Sequence, residues 1–202
     1  MKKILLQNKK HYSDDFSDIL KYKNVQVSRH VKKFNKRQKQ EYYQDISKQI
    51  EPYLNNHNEM LCLGTRNNHE RDCFRKNLNV KNIFSLDIAD KSEADYIMDF
   101  NSLPEEWKFK WDIIYSNSID HALDATAVFY KWLNIVKEGG VIVIGFDISY
   151  ENPCETDCNI FKKKEIISFF EEIHNKKIKI LEYNTIACGD GTDYFHITLK
   201  KL

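Results

Sequence analysis

Apolar residues fall in short runs between polar, helix-length segments over most of this chain. From residue 59 onward the alternation is regular. Short apolar runs predict strands at 59–64, 82–87, 94–98, 111–116 and 140–146. Apolar positions at three- and four-residue spacing predict helices at 68–78, 122–136 and 160–174. Strands alternating with helices imply a parallel sheet joined by right-handed crossovers. The C-terminal part breaks the pattern: 177–187 and 194–199 are both strand-like, and Cys188-Gly-Asp-Gly-Thr-Asp193 between them reads as a turn. Two consecutive strands joined that way form an antiparallel hairpin.

The first 58 residues read differently. Residues 36–55 look helical, with Tyr42, Tyr43, Ile46, Ile50 and Tyr53 at helical spacing and Pro52 marking the end. Residues 1 to about 35 are polar and weakly patterned. The chain therefore divides into an N-terminal extension, 1–58, and an α/β domain, 59–202. The extension and the 147–160 loop are the visible sources of a lid over a substrate.

At 202 residues the chain can bury a sizeable core. A formal net charge of +1 gives no global case for nucleic acid or an acidic membrane surface. The basic cluster Val31-Lys-Lys-Phe-Asn-Lys-Arg37 reads as a solvated face. No stretch approaches the ~18 apolar residues that span a bilayer. The start, Met1-Lys-Lys-Ile-Leu-Leu-Gln7, has too few apolar residues for a signal peptide. Five irregularly spaced cysteines make no disulfide framework, so a reducing, cytoplasmic location is expected. Cys154 and Cys158 lack the second pair that a zinc site of that spacing would need, and no metal is expected.

Four candidate sites fall at strand C-terminal ends, where open α/β sheets bind ligands. The first is Leu61-Cys-Leu-Gly-Thr-Arg-Asn-Asn-His-Glu70, a strand running through one glycine into a helix. The second is Asp87, closing Ile83-Phe-Ser-Leu-Asp87. The third is Met98-Asp-Phe-Asn-Ser-Leu-Pro104. The fourth is Ser116-Asn-Ser-Ile-Asp-His-Ala122, and Val136-Lys-Glu-Gly-Gly then leads into a buried strand. A glycine lets backbone approach a ligand closely, and a strand-end carboxylate can accept from both hydroxyls of a ribose.

In this order and spacing, residues 59–199 resemble a small single-domain class I S-adenosylmethionine-dependent methyltransferase. That family carries Leu-Gly-x-Arg-x-x-x-Glu, a strand-end Asp, Asp-Phe-x-x-Leu-Pro, Asn-Ser-x-Asp-His and Lys-x-Gly-Gly. The resemblance implies a Rossmann-like three-layer sandwich with a mostly parallel seven-stranded sheet and a C-terminal antiparallel hairpin. It also implies S-adenosyl-L-methionine as cofactor. Leu63, Gly64 and Thr65 would approach its methionine moiety. Asp87, with Ile88 beside it, would hold the ribose diol through charge-assisted hydrogen bonds worth about 1.5–3 kcal/mol each. Asp99 would accept from the adenine amino group with Phe100 at the ring, and Asn117 and Ser118 would lie near the sulfonium.

Arg66 and Asn68 depart from the usual pattern, which has glycines there. Arg66 would reach the cofactor carboxylate or pair with Glu70 four residues on. Asp87 alone also suits a helix N-cap. Phe100 suits a core, and His121 a cap or a satisfied interior position. Tyr42 and Tyr43 read as packing residues.

The implied reaction is methyl transfer to a small molecule, with an oxygen acceptor favoured. The fourth motif lacks the Asn/Asp-Pro-Pro-Tyr of nucleic-acid amino-methyltransferases. His121 is the candidate general base and Asp120 the group that orients it. An inactive cofactor-binding regulatory or interaction module is the alternative, because fold alone does not license turnover. A nicotinamide dehydrogenase is disfavoured by the absence of Gly-x-Gly-x-x-Gly and by the hairpin. Oligomeric state is not readable.

Overall fold

The structure, a computed structural model, describes residues 9–13, 15–35, 38–54, 59–187 and 193–202. Seven strands form one sheet: β1 (Glu59–Leu63), β2 (Asn82–Asp87), β3 (Tyr96–Ile97), β4 (Trp111–Ser116), β5 (Val136–Asp147), β6 (Ile178–Ala187) and β7 (Asp193–Lys201). Five helices accompany it: α1 (Phe16–Lys33), α2 (Gln40–Ile50), α3 (His69–Asn77), α4 (Ala125–Ile135) and α5 (Lys163–Ile173). The strand order is β3-β2-β1-β4-β5-β7-β6. Neighbours pair in parallel from β3 to β5, and β7 runs antiparallel to both β5 and β6. This is the Rossmann-like mixed sheet with a terminal antiparallel pair that the sequence implies. The Gly-Asp-Gly turn itself lies outside the described residues.

The strands are apolar on both faces because both faces are covered. Leu61 and Leu63 of β1, Ile114 of β4 and Ile142, Ile144 and Phe146 of β5 point to one core with Phe129 and Trp132 of α4 and Phe169 and Phe170 of α5. Their neighbours one residue along, Met60, Cys62, Ile113, Tyr115, Val141 and Val143, point to the other core. Tyr42, Tyr43, Ile46 and Ile50 of α2 and Cys73 and Phe74 of α3 fill that side. Tyr42 and Tyr43 are thus packing residues.

Several boundaries differ from the sequence expectation, each for a local reason. β3 is only two residues long, because the Asp95 carboxylate accepts the Ser85 N–H (2.8 Å) that a longer edge strand would engage. α4 starts at Ala125 rather than 122, because Asp124 caps it by accepting from Ala127 N at 2.9 Å. β5 starts at Val136, and its pairing jumps from Trp111↔Val136 to Ile113↔Val141, so the Gly-Gly segment is a bulge inside the strand. α2 stops at Ile50, and Pro52 sits in the 3-10 turn that follows. The weakly patterned N-terminal stretch holds α1, an 18-residue helix. Near its start, Lys9–Lys10 pairs with Asn159–Ile160 and ties that end to the loop after β5.

Candidate functional site

The turn after β1 sets the geometry. Gly64 has φ +79°, and a Cβ there would stand 2.7 Å from Ser118 Cβ and Oγ, so only glycine fits. Gly64 N and Thr65 N both donate to Leu86 O, at 2.8 and 3.2 Å, which holds the turn against the end of β2. Arg66 and Asn68 also take positive φ, 48° and 59°. These are the two positions where the usual pattern has glycine, and each non-glycine residue there costs about 1 kcal/mol of backbone strain. Compensating contacts are local. Arg66 N donates to Asp87 Oδ2 at 2.9 Å, and Asn68 Nδ2 donates to Glu93 O. Leu63, just before the glycine, is fully buried in the sheet core.

Asp87 is 7% exposed at the end of β2. Its Oδ1 accepts from Ala89 N at 2.9 Å, and residues 88–95 form no helix, so Asp87 caps none. Across a cavity from it stand Asp99 and Phe100, in the loop after β3. Asp99 Oδ1 accepts from Asn101 N at 2.8 Å. Oδ2 is buried and takes no hydrogen bond, with the Lys23 ammonium 4.0 Å away. Phe100 is both core and cavity wall: it packs edge-on against Trp132 and lines the cavity. Ile88 and Ser118 complete that wall. Ser118 Oγ reaches Gly64 O at 3.4 Å.

The roof comes from α1. Tyr22, Gln26, Arg29 and His30 occupy one face of that helix and line the same cavity. His30 Nδ1 is 3.1 Å from Asp87 Oδ1, off the hydrogen-bond direction, and both ring nitrogens are buried without a hydrogen-bond partner. Sequence reasoning missed these four residues. Their stripe is polar, so hydropathy does not reveal it; spacing of four, three and one was the available signal.

A second cavity adjoins the first through Gly64, Arg66, Ser118, Arg29 and His121. Thr65, Glu70, Asn117, Asp120, Asp147 and Asp157 also line it, and no aliphatic side chain does. Asp147 and Asp157 were not foreseen. Burial pushes the Glu70 carboxyl up to about 8; Arg66 opposes the shift and Asp87 adds to it. Glu70 Oε2 has no hydrogen-bond partner. Arg66 directs Nη1 to Lys33 O, at 3.4 Å.

His121 and Asp120 sit in a 3-10 turn after β4. His121 Nδ1 is 2.8 Å from Thr156 O, and Arg29 Nη1 is 2.7 Å from both ring nitrogens. Burial and then Arg29 push the imidazole well below its ordinary value, so it is neutral. Asp120 is driven well above the usual carboxylate range, by burial first and then by the neighbouring Asp157. The sequence-predicted residues thus converge on two joined cavities, except Leu63, which lies beneath them.

No known sequence family matches the chain, and no curated protein is similar to it in sequence. Solved structures are similar in fold. The Burkholderia thailandensis 1,6-didemethyltoxoflavin-N1-methyltransferase, crystallised with 1,6-didemethyltoxoflavin and S-adenosylhomocysteine, superposes with a TM-score of 0.71 at 11% identity, over 96% of this chain and 93% of that one. An S-adenosylmethionine-dependent methyltransferase from Aquifex aeolicus gives 0.56 at 11% identity, over 79% and 89%. The cyclase SpnF gives 0.61 at 11% identity, over 78% and 79%. The chain has the class I methyltransferase fold.

Proposed function

We propose that this chain binds S-adenosyl-L-methionine and directs its methyl group to a small-molecule acceptor, with an oxygen nucleophile favoured. The observation that carries the reading is the pairing of two groups across the first cavity. The Asp87 carboxylate is bound to the glycine turn on one side. The buried Asp99 Oδ2, which takes no hydrogen bond, stands on the other. A ligand with a diol and an exocyclic amine answers both. The His30 nitrogens over Asp87, which make no hydrogen bond, are further polar atoms such a ligand would satisfy.

The residues that would hold the cofactor are Gly64, Thr65 and Arg66 at its amino-acid end, Asp87 and Ile88 at the ribose, Asp99 and Phe100 at the base, and Asn117 and Ser118 between. When bound, the cofactor supplies a methyl group already activated on sulfur. The chain's own task is alignment and exclusion of water. Within the N-terminal extension α1 serves as the lid, bringing Tyr22, Gln26 and His30 down on the cavity, while α2 belongs to the core. Asp120 and His121 stand on the acceptor side. His121 can take an acceptor proton only after Arg29 leaves its ring. A cytoplasmic setting is supported by the free thiols of Cys62, Cys73, Cys154 and Cys158. No helix among the described residues is long and apolar enough to cross a membrane.

Calorimetry with S-adenosylmethionine and S-adenosylhomocysteine tests the reading. Saturable binding is expected, and Asp87→Ala weakens it by about 2–4 kcal/mol, because two hydroxyls lose their acceptor; the variant also melts lower, because the Arg66 and Ala89 N–H groups lose theirs. No heat and no thermal shift with either compound at millimolar concentration would refute it. So would an unchanged affinity in Asp87→Ala. An oxygen acceptor is tested separately by transfer of a labelled methyl group.

A further inference from the structure

Where the turn after β4 meets the loop after β5, three metal-ligating side chains converge. Donor atoms of Asp120, His121 and Asp157 all lie within 4.8 Å of one another. His121 Nδ1 is 3.5 Å from Asp120 Oδ2, 3.7 Å from Asp157 Oδ1 and 2.8 Å from Thr156 O. Ligands held ~2.0–2.2 Å from a small divalent ion stand roughly 3–3.5 Å from one another, so shifts of a few tenths of an ångström to about 1 Å bring these donors to the spacings of a coordination shell. Asp120 and Asp157 are 5% and 7% exposed, far from the solvated state of ordinary acidic clusters.

The group standing among these donors is itself a cation. Arg29 Nη1 is 2.7 Å from His121 Nδ1 and 3.4 Å from Thr156 O, and Nη2 is 3.0 Å from Asp157 Oδ1. The guanidinium is an imperfect occupant. Asp120 Oδ1 is buried and left without a hydrogen-bond partner, and so is Arg29 Nε. A planar fork meets partners in its own plane, and here one Asp120 oxygen is left out. Arg29 also belongs to α1, the helix that roofs the cavity, so its place in the cluster depends on where that helix sits.

We propose that Asp120, His121 and Asp157 bind one divalent first-row cation, with Thr156 O as a further ligand, and that Arg29 takes the cation's place when α1 is down. One imidazole with two carboxylates and a carbonyl suits zinc or manganese. Loading the site shifts one proton within the ring. The neutral imidazole passes from its Nδ1–H to its Nε2–H form, the freed Nδ1 lone pair takes the ion, and the carboxyl groups bind as carboxylates, giving up to solvent any proton they carry. The guanidinium withdraws, and the Asp120 carboxylate gains a partner. The site forms part of the second cavity's wall, so a ligand oxygen in that cavity could complete the coordination and would shed its proton more readily. Only this last consequence rests on the methyl-transfer reading.

The test needs no cofactor and no acceptor. The full chain is stripped with chelator and titrated with Mn(II), read by the electron paramagnetic resonance of the free ion. A second titration uses Zn(II) against a competing chelator. One site per chain is expected. His121→Ala and Asp157→Asn should each weaken binding at least tenfold, and Arg29→Ala, which removes the competing cation, should tighten it at least fivefold. Melting curves confirm that each variant is folded. If wild type and Arg29→Ala both fail to take up one equivalent of either ion at 1 mM, the site does not exist. If uptake is the same in a folded His121→Ala, the metal is adventitious and the proposal fails. Binding of S-adenosylhomocysteine, measured on the same samples, keeps failure here distinct from failure of the functional reading.

Discussion

Glu70 shows how much a single position can carry. It lies on the first turn of α3, 6% exposed, facing a cavity shared with Arg66, Lys33, His69, Tyr43 and Tyr194. In an unfolded chain its carboxyl titrates near 4.5; burial moves it to about 8 in the folded protein, with Arg66 opposing and Asp87 reinforcing. Between those values the folded state binds the extra proton, so stability falls as pH rises. The contribution is full below about 4.5 and is lost as pH passes about 8. Wild type and Glu70→Gln should therefore melt alike at pH 4.5, and the variant should gain by about 4 °C or more by pH 8.5. Parallel melting profiles across that range would show that Glu70 is ionised in the fold. The Glu in Leu-Gly-x-Arg-x-x-x-Glu is visible in the sequence. Its protonation is not, because it depends on what is packed above the helix.

At the scale of elements, capping and edge chemistry decide where the periodic patterns start and stop. The apolar spacing of α4 extends back to residue 122, but Asp124 fixes the start by taking the Ala127 N–H. Asp124→Ala should cost about 1 kcal/mol, or about 3 °C of melting temperature, with no change in cofactor affinity. A loss of affinity together with stability would mean that the β4–α4 turn is held in place by this cap. α1 is the opposite case. Its buried face presents Tyr22, Gln26 and His30 while Leu20, Val27 and Val31 face solvent, so hydropathy does not mark which face is inward. Its inner face is held by specific pairs instead: Tyr22 Oη accepts from Asn101 Nδ2 at 2.9 Å, Gln26 Nε2 donates to Thr156 O at 2.9 Å, and Arg29 pairs with Asp157.

At the scale of the whole molecule, those few polar contacts make α1 the least deeply anchored helix beside the site, while β1 and β4 lie at the centre of the sheet. Saturation with S-adenosylhomocysteine should slow hydrogen exchange in α1 at least tenfold and leave the β1 and β4 amides nearly unchanged. Unaltered exchange in α1 under saturation would remove it as the lid. The three-layer sheet, its terminal antiparallel strands and the strand ends that carry Gly64, Asp87, Asp99 and Asn117 are legible in the linear order of residues. Those features rest on local periodicity, on a glycine and on acids at strand ends, and all are written within a few residues of where they act. That Tyr22, Gln26, Arg29 and His30 close the cavity, and that Asp157 joins Asp120 and His121, emerges only once the chain is folded. Those partners are separated by tens of residues and are brought together by burial of polar groups against one another. A one-dimensional pattern of apolar and polar positions does not encode that pairing.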